Sequence, residues 1–192
     1  MKLIGISGKI GSGKTALAEE LVKLTGFVRV SFADPVKQEV SQIYGVPLEF
    51  CYHHKQWACQ LREKYFIDGV EYTPPQTTVR DLLQWHGTEV RRKQDLAYWT
   101  KQMKGRLNEL WDNDCPWIVI DDVRFEDEAW FVKDNGGILV RIDPYVGWES
   151  GSGARHSSET ALDKYEGWDI RCRPAFGELK NVAKEILNYA FH

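Results

Sequence analysis

The chain has 192 residues, with 25 Lys and Arg against 28 Asp and Glu, a formal net charge of −3, and 43% hydrophobic content. This is the balance of an ordinary folded domain; it excludes a disordered chain and, lacking net positive charge, a stable broad nucleic-acid surface. Runs drawn only from hydrophobic residues stop at four, as at Trp117 to Ile120 and Ala129 to Val132, which excludes a membrane-spanning helix.

From the amino end, Lys2 to Ser7 is β-prone and runs into glycines. Gly5, Ser7, Gly8 and Lys9 leave no room for the apolar core of a signal peptide. Thr15 to Leu24 has helical spacing at Ala18, Leu21 and Val22, and Gly26 is its stop. Phe27 to Phe32 alternates like a second strand, and Pro35 opens a helix expected to reach Tyr44. From Gly45 to Cys115 the chain changes character and carries most of its aromatic residues, so 45–115 reads as an insertion in one domain spanning 1–192. Within it, Thr78-x-x-Asp81 is a helix-starting box with apolar Val79, Leu82, Leu83 and Val90 behind it. Leu96, Trp99, Met103, Leu107 and Leu110 then recur at helical intervals.

Trp117 to Asp121 reads as a buried strand, Glu126 to Asn135 as a helix ended by Gly136 and Gly137, and Ile138 to Ile142 as another strand. Tyr145 to Arg155 is rich in Gly and Ser and reads as a mobile loop, part of a lid expected at 145–160. A short helix, a strand around Asp169 to Cys172 and an amphipathic helix through Leu179, Val182, Ala183, Ile186, Leu187 and Ala190 complete the chain. Alternating strands and helices predict an α/β fold of three layers, a parallel sheet of about five strands with helices on both faces.

Four cysteines without a Cys-x-x-Cys pair predict reduced thiols in a cytoplasm. Cys51, His53, His54 and Cys59 match no common zinc spacing and are expected to be packing or surface residues.

The chemistry concentrates at Gly8-Lys9-Ile10-Gly11-Ser12-Gly13-Lys14-Thr15, which satisfies G-x-x-x-x-G-K-[ST] between the first strand and the first helix. Glycines there let successive backbone N–H groups surround a polyphosphate, and the helix N-terminus adds its dipole. Lys14 would reach the β- and γ-phosphates of ATP, and the Thr15 hydroxyl would hold Mg²⁺. The strand Trp117 to Asp122 ends in two aspartates, either of which could complete the magnesium shell from beside the first strand. Arg80, Gln84 and Arg91, four and eleven residues apart, would share one face of a continuous helix at about one and three turns, a face suited to an acceptor monophosphate or simply to solvent. Arg155, beyond the Gly-rich loop, could swing over the transferring phosphoryl group. A hydroxyl acceptor would need a carboxylate base, for which Asp34 is the candidate; a phosphate acceptor would not.

The chain resembles the bacteriophage deoxynucleoside monophosphate kinase family along most of its length. The pieces are Ser31-Phe32-Ala33-Asp34-Pro35-Val36-Lys37, Arg80-Asp81-Leu82-Leu83-Gln84 with Gly87-Thr88-Glu89 and Arg91, Asp122-Val123-Arg124-Phe125 with Glu128, and His156-Ser157-Ser158-Glu159. The resemblance implies a P-loop kinase core using ATP with Mg²⁺, a deoxynucleoside monophosphate acceptor held by the helical insertion, and a host cytoplasm. It makes Asp34, Lys37, Arg80 and Arg91 acceptor-site residues and Asp122 the metal ligand beside Thr15. It sets Arg124 next to the phosphates and gives Glu128 a supporting role. Trp57, Trp85 and Trp99 lie in the stretch that would read the acceptor base. Arg171 to Phe176 departs from the family's pattern at the loop bordering adenine. A homodimer stays open. The start of the chain also resembles dephospho-coenzyme A kinase, in which Asp34 would be the base. A non-catalytic nucleotide-binding regulator is the alternative of another class, and the set Lys14, Thr15, Asp122 and Arg155 speaks against it.

Overall fold

A computed structural model of the chain describes residues 2–115, 117–144, 160–175 and 177–191. The elements run β1 (Lys2–Gly8), α1 (Lys14–Thr25), β2 (Val28–Val30), α2 (Ala33–Tyr44), α3 (Leu48–His53), β3 (Tyr65–Ile67), β4 (Val70–Tyr72) and α4 (Val79–Trp85). A π-helical segment (His86–Arg92) continues from α4, followed by α5 (Tyr98–Asp112), β5 (Trp117–Val123), α6 (Glu126–Asp134), β6 (Ile138–Ile142), β7 (Ile170–Cys172) and α7 (Leu179–Phe191). The chain divides into two units, Met1–Phe32 with Lys104–His192, and Ala33–Met103. The second unit takes in α2 as well as the first part of the 45–115 stretch. Among the described residues no helix is long and apolar enough to cross a membrane.

The first unit is the expected parallel sheet of five strands, in the order β2-β5-β1-β6-β7. Its two faces follow from the strand period of two. On one side Ile4, Ile6, Val119, Val140 and Ile142 pack with Leu17, Ala18 and Leu21 of α1 and Val182, Ala183 and Ile186 of α7. On the other, α6 comes so close that a Cβ on Gly5 would stand 2.8 Å from Val132 Cγ2. The central strand β1 therefore delivers its carboxyl end to the middle of the sheet, where open α/β sheets bind ligands. β5 carries an irregularity there: Gly5 faces Ile120 but Ser7 faces Val123, so one extra residue is accommodated around Asp121 and Asp122.

The second unit has its own core, Val40, Tyr44, Val46, Cys51, Ile67, Val79, Leu82 and Val90. The Thr78–Asp81 box is present, with Asp81 N–H donating to Thr78 Oγ1 at 3.3 Å and Thr78 N–H to Asp81 Oδ2 at 3.4 Å. The β3–β4 hairpin turns at Asp68 and Gly69, both at positive φ (49° and 80°), the turn that matches the twist of its strands. The π-helical segment breaks the continuous face assumed for Arg80, Gln84 and Arg91. Its wider turns move Arg91 out of phase with the two residues on α4.

Candidate active site

Gly8 closes the phosphate loop because nothing larger fits. A Cβ there would lie 2.4 Å from Ser12 Oγ and 2.6 Å from the Ile142 carbonyl oxygen. Gly11 and Gly13 have φ of 77° and 97°, a region L side chains avoid, and Gly13 leaves the start of α1 without a side-chain cap. Lys14 is buried, its ammonium donating to the carbonyls of Gly8 (2.7 Å) and Lys9 (2.8 Å). Ser12 Oγ is buried without a hydrogen-bond partner. Uncapped helix N–H groups, an orphaned hydroxyl and an ammonium facing one loop are what a polyphosphate would satisfy.

The two aspartates of β5 point to different partners. Thr15 Oγ1 donates to Asp121 Oδ2 at 3.2 Å, and the Arg29 guanidinium lies 3.6 Å from the same oxygen. Asp122 instead accepts from Ser31 Oγ (2.6 Å) and from the Phe32 backbone N–H (2.7 Å), tying β5 to the end of β2. Asp122, to which the resemblance gave the metal, thus holds the Ser31 hydroxyl and the Phe32 N–H, while Asp121 touches the threonine. A hydroxyl and a carboxylate in contact are hard oxygen donors of the kind Mg²⁺ takes beside phosphates. Glu128 caps α6, accepting from the N–H groups of Arg124 (2.7 Å) and Phe125 (3.2 Å). Arg155, the 145–160 lid and His156 to Glu159 lie outside the described residues, apart from Thr160.

In the second unit Asp34 Oδ1 accepts from Lys37 Nζ (2.8 Å) and Tyr52 Oη (3.0 Å), and the Lys37 ammonium sits 4.0 Å above the Tyr52 ring. Tyr52 also begins a cavity of about 580 Å³ lined by residues 52 to 57 and Arg80. Arg80 Nε is buried there without a hydrogen-bond partner, and Trp57 is 58% exposed. Gln84 is half-buried. Trp85 packs edge-on against Tyr44 and Tyr72. Trp99 is buried, its indole N–H donating to the Gly87 carbonyl at 2.9 Å, so its ring is core and not base reader. Burial raises the thiol pKa of both Cys51 and Cys59, and Cys51 lies in the core. Among the described residues no group of three or more His, Cys, Asp and Glu is arranged to hold a metal ion.

Arg91 is more entangled than its spacing suggested. Its Nε donates to Glu39 Oε2 at 2.7 Å, its Nη1 pairs with Asp68 at the hairpin turn, and its guanidinium stacks 4.7 Å from the Tyr98 ring centre. Glu39 also accepts from Tyr98 Oη and from His86 Nε2, the latter at 3.0 Å. His86 is fully buried, its Nδ1 3.0 Å from Tyr44 Oη. Burial alone would raise the Glu39 pKa, but His86, Tyr98 and Arg91 together hold it below the ordinary value. Burial pushes His86 down, against the pull of Glu39, so its neutral form donates from Nε2 and accepts from Tyr44. Tyr98 is pushed up to about 12, first by burial and then by Glu39, and remains a donor. Two carboxylates on one guanidinium leave Arg91 less charge for a phosphate than an exposed arginine would have.

This network gives stability a defined pH dependence. Below the ordinary histidine value of 6.5 the unfolded chain takes a proton that folded His86 refuses, so stability is full above that pH and falls on acidification. Glu39 adds a loss in the same direction below about 4.5. Urea unfolding between pH 7.5 and 5.5 should show a falling midpoint, with His86 contributing at most about 1.4 kcal/mol per pH unit. His86→Phe should flatten that slope; an unchanged slope would show that His86 is not the titrating group.

No family model matches the chain. A Thermus thermophilus protein, TT1252, has the same fold at a TM-score of 0.52 and 14% identity, with 97% of this chain and 96% of that one covered. Shikimate kinase from Acinetobacter baumannii, solved with shikimate, aligns at 0.49 and 13% identity over 99% and 92% of the two chains. A protein of Acanthamoeba polyphaga mimivirus, a virus of an amoeba and not a bacteriophage, is named "Putative deoxynucleotide monophosphate kinase". It is 32% identical over 184 residues, covering 88% of this chain and 86% of its own. At that identity, carried along nearly the whole length of both proteins, the chain belongs to the deoxynucleotide monophosphate kinase family.

Proposed function

We propose that the chain transfers the γ-phosphoryl group of ATP, bound with Mg²⁺, to the phosphate of a deoxynucleoside 5′-monophosphate, giving the diphosphate. The observation that carries this reading is the phosphate loop, whose orphaned Ser12 hydroxyl and uncapped α1 stand with the Thr15–Asp121 pair. The viral relative supports the acceptor class. Mg²⁺, held by Thr15 and Asp121, would draw charge from the β- and γ-phosphate oxygens. Lys14 leaves the loop carbonyls for those phosphates, and Arg124, with Arg155 assigned from sequence alone, neutralises charge on the group in flight.

For the acceptor, the recess around Arg80 offers a buried guanidinium donor without a partner and an exposed indole on which a base can stack. A phosphate acceptor is already an oxyanion, so no side chain has to remove a proton. Asp34, engaged by Lys37 and Tyr52, then orients the acceptor and is not its base. A hydroxyl acceptor such as dephospho-coenzyme A would ask more of it.

A coupled ADP-release assay with ATP, Mg²⁺ and a panel of ordinary and modified deoxynucleoside monophosphates, with dephospho-coenzyme A alongside, tests the reading. Turnover of one or more monophosphates is expected; turnover of dephospho-coenzyme A alone would overturn it, and no turnover of any acceptor would favour a regulator. Asp34→Asn should retain a measurable rate, with kcat/KM down about tenfold for the loss of one charge-assisted hydrogen bond. Complete loss with unaltered acceptor binding would point to the hydroxyl acceptor.

A further inference from the structure

The residues on either side of Gly8 are tied to one place outside the phosphate loop. On the strand side, Arg141 of β6 lies in register with Ser7 and donates from Nη1 to Ser7 Oγ at 3.1 Å. On the loop side, the Lys9 ammonium donates to Asp163 Oδ1. The two ties converge, because Arg141 Nη2 is 3.6 Å from that same Asp163 oxygen. Arg141 is itself held from behind, with Nε 3.7 Å from Asp143 Oδ1 and the guanidinium 5.5 Å from the Trp168 ring centre. Asp143 is fixed in turn by Arg171, which donates to it at 2.7 and 3.2 Å.

A glycine-rich loop loses more backbone freedom on ordering than any other sequence, and a loop already held in its bound shape loses less when the ligand arrives. We propose that Asp163 is a positioning residue for the nucleotide: through Lys9 it holds the phosphate loop in its binding shape, with Arg141 keeping the Asp163 carboxylate in place. The proposal rests on residues 8–15 being the cradle of a nucleoside triphosphate, and is independent of which acceptor is used. Asp163 is 44% exposed and Lys9 23%, and pairs that open contribute little to folding. Its role should therefore appear in nucleotide binding and not in melting temperature.

The test is calorimetric titration of the whole chain with Mg²⁺ and a non-hydrolysable ATP analogue, without acceptor. Asp163→Asn should raise the Kd about fivefold, the upper range for an exposed ion pair. Asp163→Glu, which keeps the charge, should bind within about twofold of the starting protein. In a Lys9→Met background, Asp163→Asn should have no further effect, a non-additivity that a merely structural role would not produce. Raising the salt should shrink the difference between the starting protein and Asp163→Asn, since the pair is accessible to ions. Equal or tighter binding by Asp163→Asn, or the same weakening with and without Lys9, would overturn the proposal. A starting protein that binds no nucleotide would sink the kinase reading itself.

Discussion

Lys14→Met should lower kcat/KM for ATP-dependent transfer by roughly 100- to 1,000-fold, the usual loss when one fixed charge-stabilising donor is removed. Methionine keeps most of the buried stem, so packing against α1 and the loop survives and the melting temperature should move by only a few degrees. What disappears is an ammonium that the fold already holds on two loop carbonyls, at 2.7 and 2.8 Å, where the phosphates would lie. Because those carbonyls are neutral, moving the ammonium to an anion is favourable, whereas Lys9, the other ammonium of the loop, is paired with Asp163. Steady-state kinetics with the productive acceptor decides it. Activity within a few-fold of the starting protein would remove the loop from the mechanism.

The second large effect separates the paired aspartates. Asp121→Ala should cost transfer about 100-fold and shift the Mg²⁺ requirement upward if Thr15 and Asp121 hold the metal as proposed, with the smaller effect on folding, because its contacts are the Thr15 hydroxyl and the partly exposed Arg29 guanidinium. Asp122→Ala should do the reverse. It strands the buried Phe32 N–H, a penalty of about 1–3 kcal/mol, and lowers the melting temperature by roughly 3–10 °C for a chain of this size. Magnesium titrations and thermal melts on both variants give a double readout. If Asp122→Ala altered the magnesium dependence while Asp121→Ala merely melted earlier, the two roles would have to be exchanged.

Much of the first unit was legible because its signals are local and repetitive. Strand period, glycine stops and the G-x-x-x-x-G-K-T string each carry their own structural meaning, and the five parallel strands follow from their alternation with helices. That Asp121 and Asp122 take different partners was not legible, since it goes with an extra residue in β5 that shows only against the register of β1. The second unit was harder. α3 has six residues, too few to set up a helical period. The β3–β4 hairpin did carry a signal, Asp68-Gly69 between Tyr65-Phe66-Ile67 and Val70-Glu71-Tyr72, and a closer reading of turn chemistry would find it. The Glu39–His86–Arg91 network joins residues far apart in sequence, as does the Ser7–Arg141–Asp163–Lys9 chain. Pairings of that kind have no spacing rule. Trp99 was misread for a related reason: an aromatic at helical spacing looks the same whether it faces a ligand or a core.

The π-helical segment has a consequence for how this chain can change in length. An α-helix turns by about 100° per residue, and a π-helical stretch accommodates a residue that an ordinary helix would place on the next turn. Deleting one residue between His86 and Arg92 would let α4 run on as a regular cylinder. Side chains beyond it would keep close to their present directions, because the wide turn already absorbs that residue, and Arg91 would stay beside Glu39 and Val90 in the core. A residue removed from the regular part of α4 has no such outlet and would turn every later side chain by about 100°. The segment is therefore the place where this unit can lose a residue without moving its later side chains to another face, and an alignment with a one-residue gap there keeps the faces in step.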